Sequence, residues 1–146
     1  MALRGDLGGP TDGHMNHREA AKAWVAAYAD AWRRADDRAV TELFTEDAVY
    51  LEHPTREPHV GREAIGEYWR WAVGTQADLD LEFGDPVVDG DRAAVEWWAT
   101  MIDDGEARTL PGILMLRFDD QGRCRELREA WFWLEGRHLP PAGWGR

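Results

Sequence analysis

The first half of the chain carries its apolar residues at three- and four-residue spacing, in three separate segments. This spacing predicts amphipathic helices over about residues 17–35, 38–44 and 62–73. Trp24 and Trp32 lie on the apolar stripe of the first helix, where packing in the core is the simplest explanation for both.

From residue 78 onward the period changes to two, which is typical of strands. Turns rich in Asp and Gly separate the predicted strands, which cover residues 78–83, 92–102, 107–118 and 123–134. Helices followed by a meander of long strands indicate an α+β domain, with an antiparallel sheet and the helices on one face. A sheet that bends around these helices leaves an apolar cavity between the two layers.

The segment over residues 46–71 has the pattern of a short strand, a proline-rich turn and a helix. In the strand, Val49, Leu51 and His53 share one face by alternation, and we assign this face to the interior. A histidine that ends an apolar inward face is a candidate site residue. The alternative is a histidine whose hydrogen bonds are satisfied by the backbone of the turn.

Composition disfavours several classes of protein. The net charge of −11, from 28 acidic and 17 basic residues, disfavours binding to nucleic acid or to an anionic membrane. No apolar run reaches the roughly 18 residues of a membrane-spanning helix. Cys124 is the single cysteine, so no intramolecular disulfide is expected and a cytoplasmic location is predicted. The nine tryptophans are unusual and indicate an aromatic core, interface or pocket.

Several short motifs stand in the order found in a known superfamily. They are LFTEDAV at residues 43–49, EHP at 52–54 and GREAI at 61–65, with LRFD at 116–119 and GR at 122–123 further on. Over about residues 18–135 the chain resembles the nuclear transport factor 2-like superfamily, which includes ketosteroid isomerases, scytalone dehydratase, limonene epoxide hydrolase and SnoaL-type polyketide cyclases. The resemblance implies a cone-shaped α+β barrel, in which three N-terminal helices pack on a curved, mostly antiparallel sheet and enclose an apolar cavity.

The resemblance implies roles for His53 and Tyr28. His53 stands where ketosteroid isomerases have their proton-shuttling aspartate, and Tyr28 resembles their ketone-polarising tyrosine. The second donor of those enzymes falls at Leu114, which has no donor group, so steroid isomerisation by that mechanism is rejected. Scytalone dehydratase uses a histidine with an aspartate, a part that His53 can play, although spacing identifies no partner. The Asp-Arg-Asp set of limonene epoxide hydrolase is not found.

The resemblance also turns one face of the last strand toward the cavity, and that face carries Glu129, Trp131 and Trp133. A carboxyl group among tryptophans is desolvated, which raises its pKa toward the range useful for acid–base chemistry. The alternative is that Glu129 is buried in an ion pair with an arginine or with His53. Gly112 on the neighbouring strand has no side chain and is expected to make room for a ligand.

Two kinds of function fit these features. One is a cofactor-independent isomerase, dehydratase or cyclase that abstracts a proton next to the carbonyl of an apolar or aromatic molecule. In it, His53 is the base, Glu129 a second acid or base, and Tyr28 a donor to the developing oxyanion. The other is a module that only binds a hydrophobic ligand or only forms a dimer.

The predicted contacts to a ligand are the same in the enzyme and in the binding module: Trp32, Trp69, Trp97, Gly112, Leu114, Trp131 and Trp133. No cofactor is expected. A metal site is not expected either, because two prolines separate His53 from His59 and no third ligand is near in sequence.

The outward face of the sheet predicts association of the chain with itself. Its apolar residues are Trp98, Ile113, Met115 and Phe132. A patch of this size is unusual on a monomer, and relatives dimerise through this face, so a homodimer is predicted. The alternative is that the C-terminal tail, with Trp144, folds over the patch.

The domain itself is predicted to span residues 17–135. Residues 1–16 are rich in Gly, Pro and Asp and are predicted to be a disordered tail, without the apolar segment of a secretory signal. Residues 136–146 are predicted to be an irregular C-terminal tail.

Overall fold

In the computed structural model, which describes residues 16–146, three helices pack against one face of a curved sheet. The helices are α1 (His17–Arg33), α2 (Asp37–Thr41) and α3 (Arg62–Val73). None of the helices in this part of the chain is long and apolar enough to cross a membrane. The predicted disordered tail lies outside the described residues except for Asn16, whose side chain caps α1.

The sheet has eight strands and one parallel pair. The strands are β1 (Phe44–Leu51), β2 (His59–Val60), β3 (Gln76–Phe83), β4 (Val87–Asp89), β5 (Arg92–Asp103), β6 (Glu106–Phe118), β7 (Cys124–Trp131) and β8 (Leu134–Glu135). Their main order is β2-β1-β7-β6-β5-β3, while β4 pairs with β5 and β8 with β6. β1 runs parallel to β7, and the other pairs are antiparallel. The sheet curves without closing, which confirms the predicted α+β class and mostly antiparallel sheet.

The long strands follow the predicted alternation. On β5 and β6 the inward residues are buried, among them Val95, Trp97, Leu114 and Leu116. The two strands pair along their whole length, from Arg92 opposite Arg117 to Asp103 opposite Glu106. This pairing gives the helices one continuous apolar floor to pack on. The short strands β2, β4 and β8 were not predicted.

The predicted face of β1 is wrong. Ala48, Tyr50 and Glu52 are buried, whereas Val49 is 36% exposed and His53 is half-buried. The polar groups on this buried face have partners inside the protein, because the Tyr50 hydroxyl donates to Glu129 and the Glu52 carboxyl pairs with Arg56. His53 therefore lies on the opposite face from the one that we assigned to it.

The C-terminal segment crosses the outer face of the sheet. Residues 136–146 contain no helix or strand. The ring of Trp144 packs edge-on against Trp98 with centroids 6.1 Å apart, and the indole N–H of Trp98 donates to the carbonyl oxygen of His138 at 2.9 Å. The segment thus covers Trp98 and leaves three of the predicted patch residues exposed, Ile113, Met115 and Phe132.

Candidate functional site

A cavity of about 470 Å³ lies between the helices and the inner face of the sheet. Its wall is formed by α1, α3, the inner faces of β1, β5, β6 and β7, and the loop after β1. Six tryptophans and all three tyrosines of the chain take part in the lining. The volume suits a small organic molecule, and the aromatic wall suits an apolar or flat one.

The cavity brings together most of the residues predicted for a site. Seven of the ten line it: Tyr28, Trp32, Trp69, Trp97, Glu129, Trp131 and Trp133. They come from α1, α3, β5, β7 and the residues after β7, so the fold collects them from separate parts of the chain.

Three predicted site residues do not line the cavity. Leu114 is fully buried in the core. A Cβ atom at Gly112 would overlap the indole of Trp97, so this glycine makes room for that indole and not for a ligand. His53 follows β1 on its outward side, and its Nδ1 is in hydrogen-bond contact with the Thr55 hydroxyl, 3.0 Å away. An arrangement with His53 and Glu129 in one cavity is not present.

The polar centre of the cavity is a chain of three hydrogen-bonding groups. The Tyr50 hydroxyl donates to Glu129 Oε1 at 2.8 Å, and the Tyr28 and Tyr50 hydroxyl oxygens lie 3.4 Å apart. Because Tyr50 gives its only hydrogen to Glu129, Tyr28 is the donor in the second contact. Tyr50 lies opposite Leu127 on the parallel strand β7, so Glu129 is the next inward residue along that strand.

The surroundings of Glu129 favour its uncharged form. The residue is 8% exposed, and it forms no ion pair with any residue in the described part of the chain. Burial raises the pKa of the Glu129 carboxyl, the hydrogen bond from Tyr50 lowers it, and nearby Glu52 raises it, to about 8 in total. The carboxyl group is therefore mostly protonated at neutral pH. Burial, reinforced by Glu129, also raises the pKa of both Tyr28 and Tyr50.

Glu52 and Arg56 form a paired group beside this centre. The carboxyl of Glu52, 4% exposed, accepts from Arg56 Nη1 at 3.2 and 3.4 Å. The Glu52 carbonyl oxygen accepts from the indole N–H of Trp131 at 2.7 Å, and the Arg56 guanidinium lies over the ring of Trp131, 5.5 Å from its centroid. These contacts fasten the loop after β1 to the cavity wall, where Arg56 takes part in the lining.

Tyr68 on α3 is a further polar group in the lining. Burial raises the pKa of its hydroxyl, Glu129 and Glu52 raise it further, and Arg56 lowers it. Its ring stacks on His59 with centroids 4.7 Å apart, while its hydroxyl forms no hydrogen bond with residues 16–146. The hydroxyl is thus available as a donor to a ligand.

Sequence reasoning missed Tyr50, Tyr68 and Arg56 as site residues. Tyr68 lies on the apolar stripe of the helix predicted over residues 62–73, and the spacing that predicts a helix gives no role to its hydroxyl. Tyr50 alternates with Val49 and Leu51, so the assignment of those two residues to the interior put Tyr50 on the outer face. Arg56 lies in the proline-rich turn, where no pattern predicts the direction of a side chain.

Other reactive groups are not arranged for chemistry. Among the described residues, no three His, Cys, Asp or Glu side chains are placed to hold a metal ion. Cys124 is fully buried, and burial raises the pKa of its thiol to about 12, so it is a poor nucleophile.

Comparisons with known proteins establish the family. The model of the SnoaL-like domain matches residues 25–127, more than half of the chain, and the chain belongs to this family. The predicted resemblance is confirmed. A comparison with curated proteins finds no match.

Two solved structures share the fold. One is SalBIII, described as an epoxide hydrolase/cyclase-like enzyme in pyran ring formation in the polyether salinomycin. Its sequence is 24% identical to this chain, and the alignment has a TM-score of 0.71. It covers 80% of this chain and 93% of SalBIII. A hypothetical protein from Catenulispora acidiphila, with a ketosteroid isomerase-like fold and bound trimethylamine, is 20% identical; its TM-score is 0.66, and the coverage is 73% of this chain and 82% of that one. At these identities the likeness establishes the fold alone.

Proposed function

We propose that the protein is a cofactor-independent acid–base enzyme acting on a small apolar or aromatic molecule, with Glu129 as the group that takes and returns the proton. The observation that carries this proposal is the environment of Glu129: a buried carboxyl at the wall of an aromatic cavity, with one hydrogen bond from Tyr50 and no ion pair within residues 16–146. A carboxyl group held there only for stability is normally paired with a cation. Isomerisation, dehydration and cyclisation all need such a proton carrier.

The tyrosines take different parts in this proposal. Tyr50 orients Glu129 and tunes its pKa, and Tyr28 supports Tyr50. Tyr68, whose hydroxyl has no partner in the described chain, is the donor to the oxygen on which negative charge develops. The role predicted for Tyr28 as oxyanion donor therefore moves to Tyr68, and His53 has no part in the reaction.

The likeness to SalBIII supports the inclusion of ring closure among the possible reactions. That protein is described as acting in pyran ring formation. Closing an oxygen ring requires one proton to leave the attacking hydroxyl and another to reach the leaving oxygen, which a carboxyl group near its pKa can carry. The proposed reaction class is thus proton transfer to or from carbon or oxygen, without a cofactor.

The test is exchange of carbon-bound hydrogen on a ketone that fits the cavity. 1-Indanone is incubated with the protein in heavy water, and loss of its α-proton signal is followed by NMR. We expect the wild type to accelerate the exchange and Glu129→Gln to lower the protein-dependent rate by roughly 100-fold or more, the usual contribution of a general base. Glu126→Gln is the matched control, since Glu126 lies on the same strand but outside the cavity lining. Exchange no faster than in buffer, or equal in wild type and Glu129→Gln, overturns the proposal.

A second candidate function is binding of a hydrophobic ligand without chemistry. This candidate is favoured because the hydroxyl groups of Tyr28 and Tyr50 already donate hydrogen bonds to protein groups. The cavity wall therefore offers a ligand mainly aromatic surface. A pure binding module would show ligand-dependent quenching of tryptophan fluorescence and no exchange. A domain that only dimerises would need no such cavity.

The proposed molecule is a cytoplasmic homodimer. The cytoplasmic location rests on the single cysteine of the sequence and the dimer on the exposed residues of the outer sheet face.

A further inference from the structure

The two most exposed tryptophans of the chain both belong to the cavity wall. Trp71 is 72% exposed and Trp133 is 46% exposed, whereas the other seven tryptophans are buried or half-buried. Both exposed residues nevertheless line the cavity. A side chain that lines a cavity and is also open to solvent lies at the mouth of that cavity, so we call these two the rim tryptophans. Large aromatic surface is usually withdrawn from water, and two such residues at one opening require an explanation.

The rim tryptophans come from the two layers that enclose the cavity. Trp71 is on α3 in the helical layer, and Trp133 follows β7 in the sheet layer. Each lies next to an aromatic residue that also lines the cavity. The ring centroid of Trp71 is 6.1 Å from that of Tyr68, and the ring centroid of Trp133 is 6.4 Å from that of Trp131. The aromatic wall therefore continues outward to the mouth on both sides of the cavity.

The charged groups near the mouth already have partners in the protein. The Arg108 guanidinium lies over the ring of Trp133, 5.6 Å from its centroid, and forms an ion pair of its own. Arg56 is held in the ion pair described above, and the Asp103 carboxyl accepts a hydrogen bond from the Thr75 hydroxyl. The mouth thus offers a ligand mainly the surface of two indoles, which suits an uncharged ring better than an ionic group.

We infer that the ligand is an elongated molecule whose outer part, an uncharged aromatic or alicyclic ring, is bound between Trp71 and Trp133 at the mouth of the cavity. Its inner part occupies the buried end, beside Glu129. A cavity of about 470 Å³ has the size that holds drug-sized molecules, so a ligand that fills it reaches the rim. The inference rests on the proposed function only in taking the cavity as the ligand site. It adds a second subsite and a minimum length for the substrate.

The competing explanation is that the rim tryptophans contact a second copy of the chain. Their substitution would then change the oligomeric state and would not discriminate between a short and a long ligand. Phe132 provides the matched control for this distinction. It is 73% exposed and directly precedes Trp133, but it does not line the cavity.

The experiment compares 1-indanone with 5-phenyl-1-indanone, which carries a further ring on the side of the molecule away from the ketone. The readout is the ratio of their dissociation constants, short ligand over long ligand, measured by calorimetry. In the wild type we expect a ratio of about ten or more, because the added ring leaves water. Trp71→Ala or Trp133→Ala should lower the ratio by about two- to tenfold, the value of one aromatic contact. Phe132→Ala should leave the ratio unchanged.

A direct readout in the wild type does not depend on the variants. With 5-phenyl-1-indanone bound, NMR should show NOEs from the protons of its phenyl ring to the indoles of Trp71 and Trp133. The inference is overturned by the absence of NOEs to both indoles, by a ratio that stays the same in both tryptophan variants, or by an equal fall in Phe132→Ala. Binding of neither ligand overturns it as well.

Two further results separate this inference from the other proposals. A changed sedimentation of Trp71→Ala with an unchanged ratio would assign the rim tryptophans to an interface between copies and overturn the inference. Glu129→Gln should lower the exchange rate of 1-indanone but leave the ratio of dissociation constants intact. Failure of the proton-transfer proposal is therefore distinguishable from failure of this one.

Discussion

Two buried carboxyl groups differ in what neutralises them. Glu52 and Glu129 are both less than a tenth exposed, but Glu52 faces the guanidinium of Arg56 whereas Glu129 receives only the hydroxyl of Tyr50. The charge of Glu52 is balanced by that of Arg56. Glu129 has no such partner, and burial favours its protonated form because an unpaired charge is costly in an aromatic wall. Two chemically identical side chains thus differ in their surroundings: one fastens a loop, and the other has the raised pKa on which the proposed function rests.

The first prediction concerns stability and pH. In the folded chain Glu129 has a pKa of about 8, above its ordinary 4.5, so between these values the folded state holds a proton that the unfolded state has lost. Stability should therefore fall as pH rises through this window, with a slope from this group approaching about 1.4 kcal/mol per pH unit, and level off above pH 8. The Glu129→Gln variant should lack this part of the pH dependence of the free energy of unfolding. Urea unfolding of both proteins between pH 5 and 9 measures the difference, and parallel curves would refute the raised pKa.

The second prediction concerns the hydrogen bond from Tyr50. It lowers the pKa of Glu129, so its removal in Tyr50→Phe should move the midpoint of the exchange-rate profile of 1-indanone above pH 8. The expected shift is about one unit, which corresponds to about 1.4 kcal/mol, the scale of a hydrogen bond to a charged group. Tyr68→Phe, which changes a lining residue without a bond to Glu129, should lower the rate at a nearly unchanged midpoint. An unshifted profile in Tyr50→Phe would show that this bond does not tune the carboxyl.

At the scale of elements, alternation predicts a strand face well where the inward residues are apolar. This holds for β5, β6 and β7, and it placed Glu129 on the inward side of β7. It fails at β1, where the inward residues Tyr50 and Glu52 are polar and the aliphatic Val49 faces out. Burial there is decided by partners elsewhere in the fold, such as Glu129 for the Tyr50 hydroxyl, and these partners leave no mark in the local sequence. The fold and most of the aromatic wall could therefore be predicted, whereas the hydrogen-bond network around Glu129 could not.

The third prediction tests how β6 accommodates the aromatic wall. Gly112→Ala would place a Cβ atom against the indole of Trp97, and the displaced ring should cost about 1–3 kcal/mol in the free energy of unfolding. Trp97→Leu removes the obstructing ring, so the double variant should lose less than the sum of the two single losses. Thermal or urea unfolding of the wild type, the two single variants and the double variant measures the three changes in stability that this comparison needs. Additive losses would mean that Gly112 and Trp97 do not interact as described.

At the scale of the whole molecule, the C-terminal segment fixes which part of the outer face stays open. The backbone N–H of Gly145 donates to Glu96 Oε2 at 2.8 Å, and its carbonyl oxygen accepts from the N–H of Asp85 at 2.7 Å. With Trp144 on Trp98, these bonds hold the segment along β5. The uncovered apolar surface therefore lies toward β6 and β7 instead of over the whole sheet.

The last prediction is that this remaining surface joins two copies of the chain. Ile113 and Met115 on β6 and Phe132 after β7 are 49%, 38% and 73% exposed. Phe132 donates its backbone N–H to the carbonyl oxygen of Pro111, so it lies beside them. A two-fold axis would bring the same patch of both copies together, as in most homodimers. Phe132→Glu should then shift the sedimentation of the protein from dimer to monomer.

Val87→Glu is the matched control, because Val87 is equally exposed, at 73%, but lies on β4 away from the patch. A monomeric wild type, or equal sedimentation of the two variants, would contradict the assignment of the interface. Monomerisation should leave the exchange rate of 1-indanone unchanged, because every residue proposed for the cavity comes from one chain and faces the opposite side of the sheet. Association and proton transfer are thus separable, and a variant that loses both would point instead to a general loss of structure.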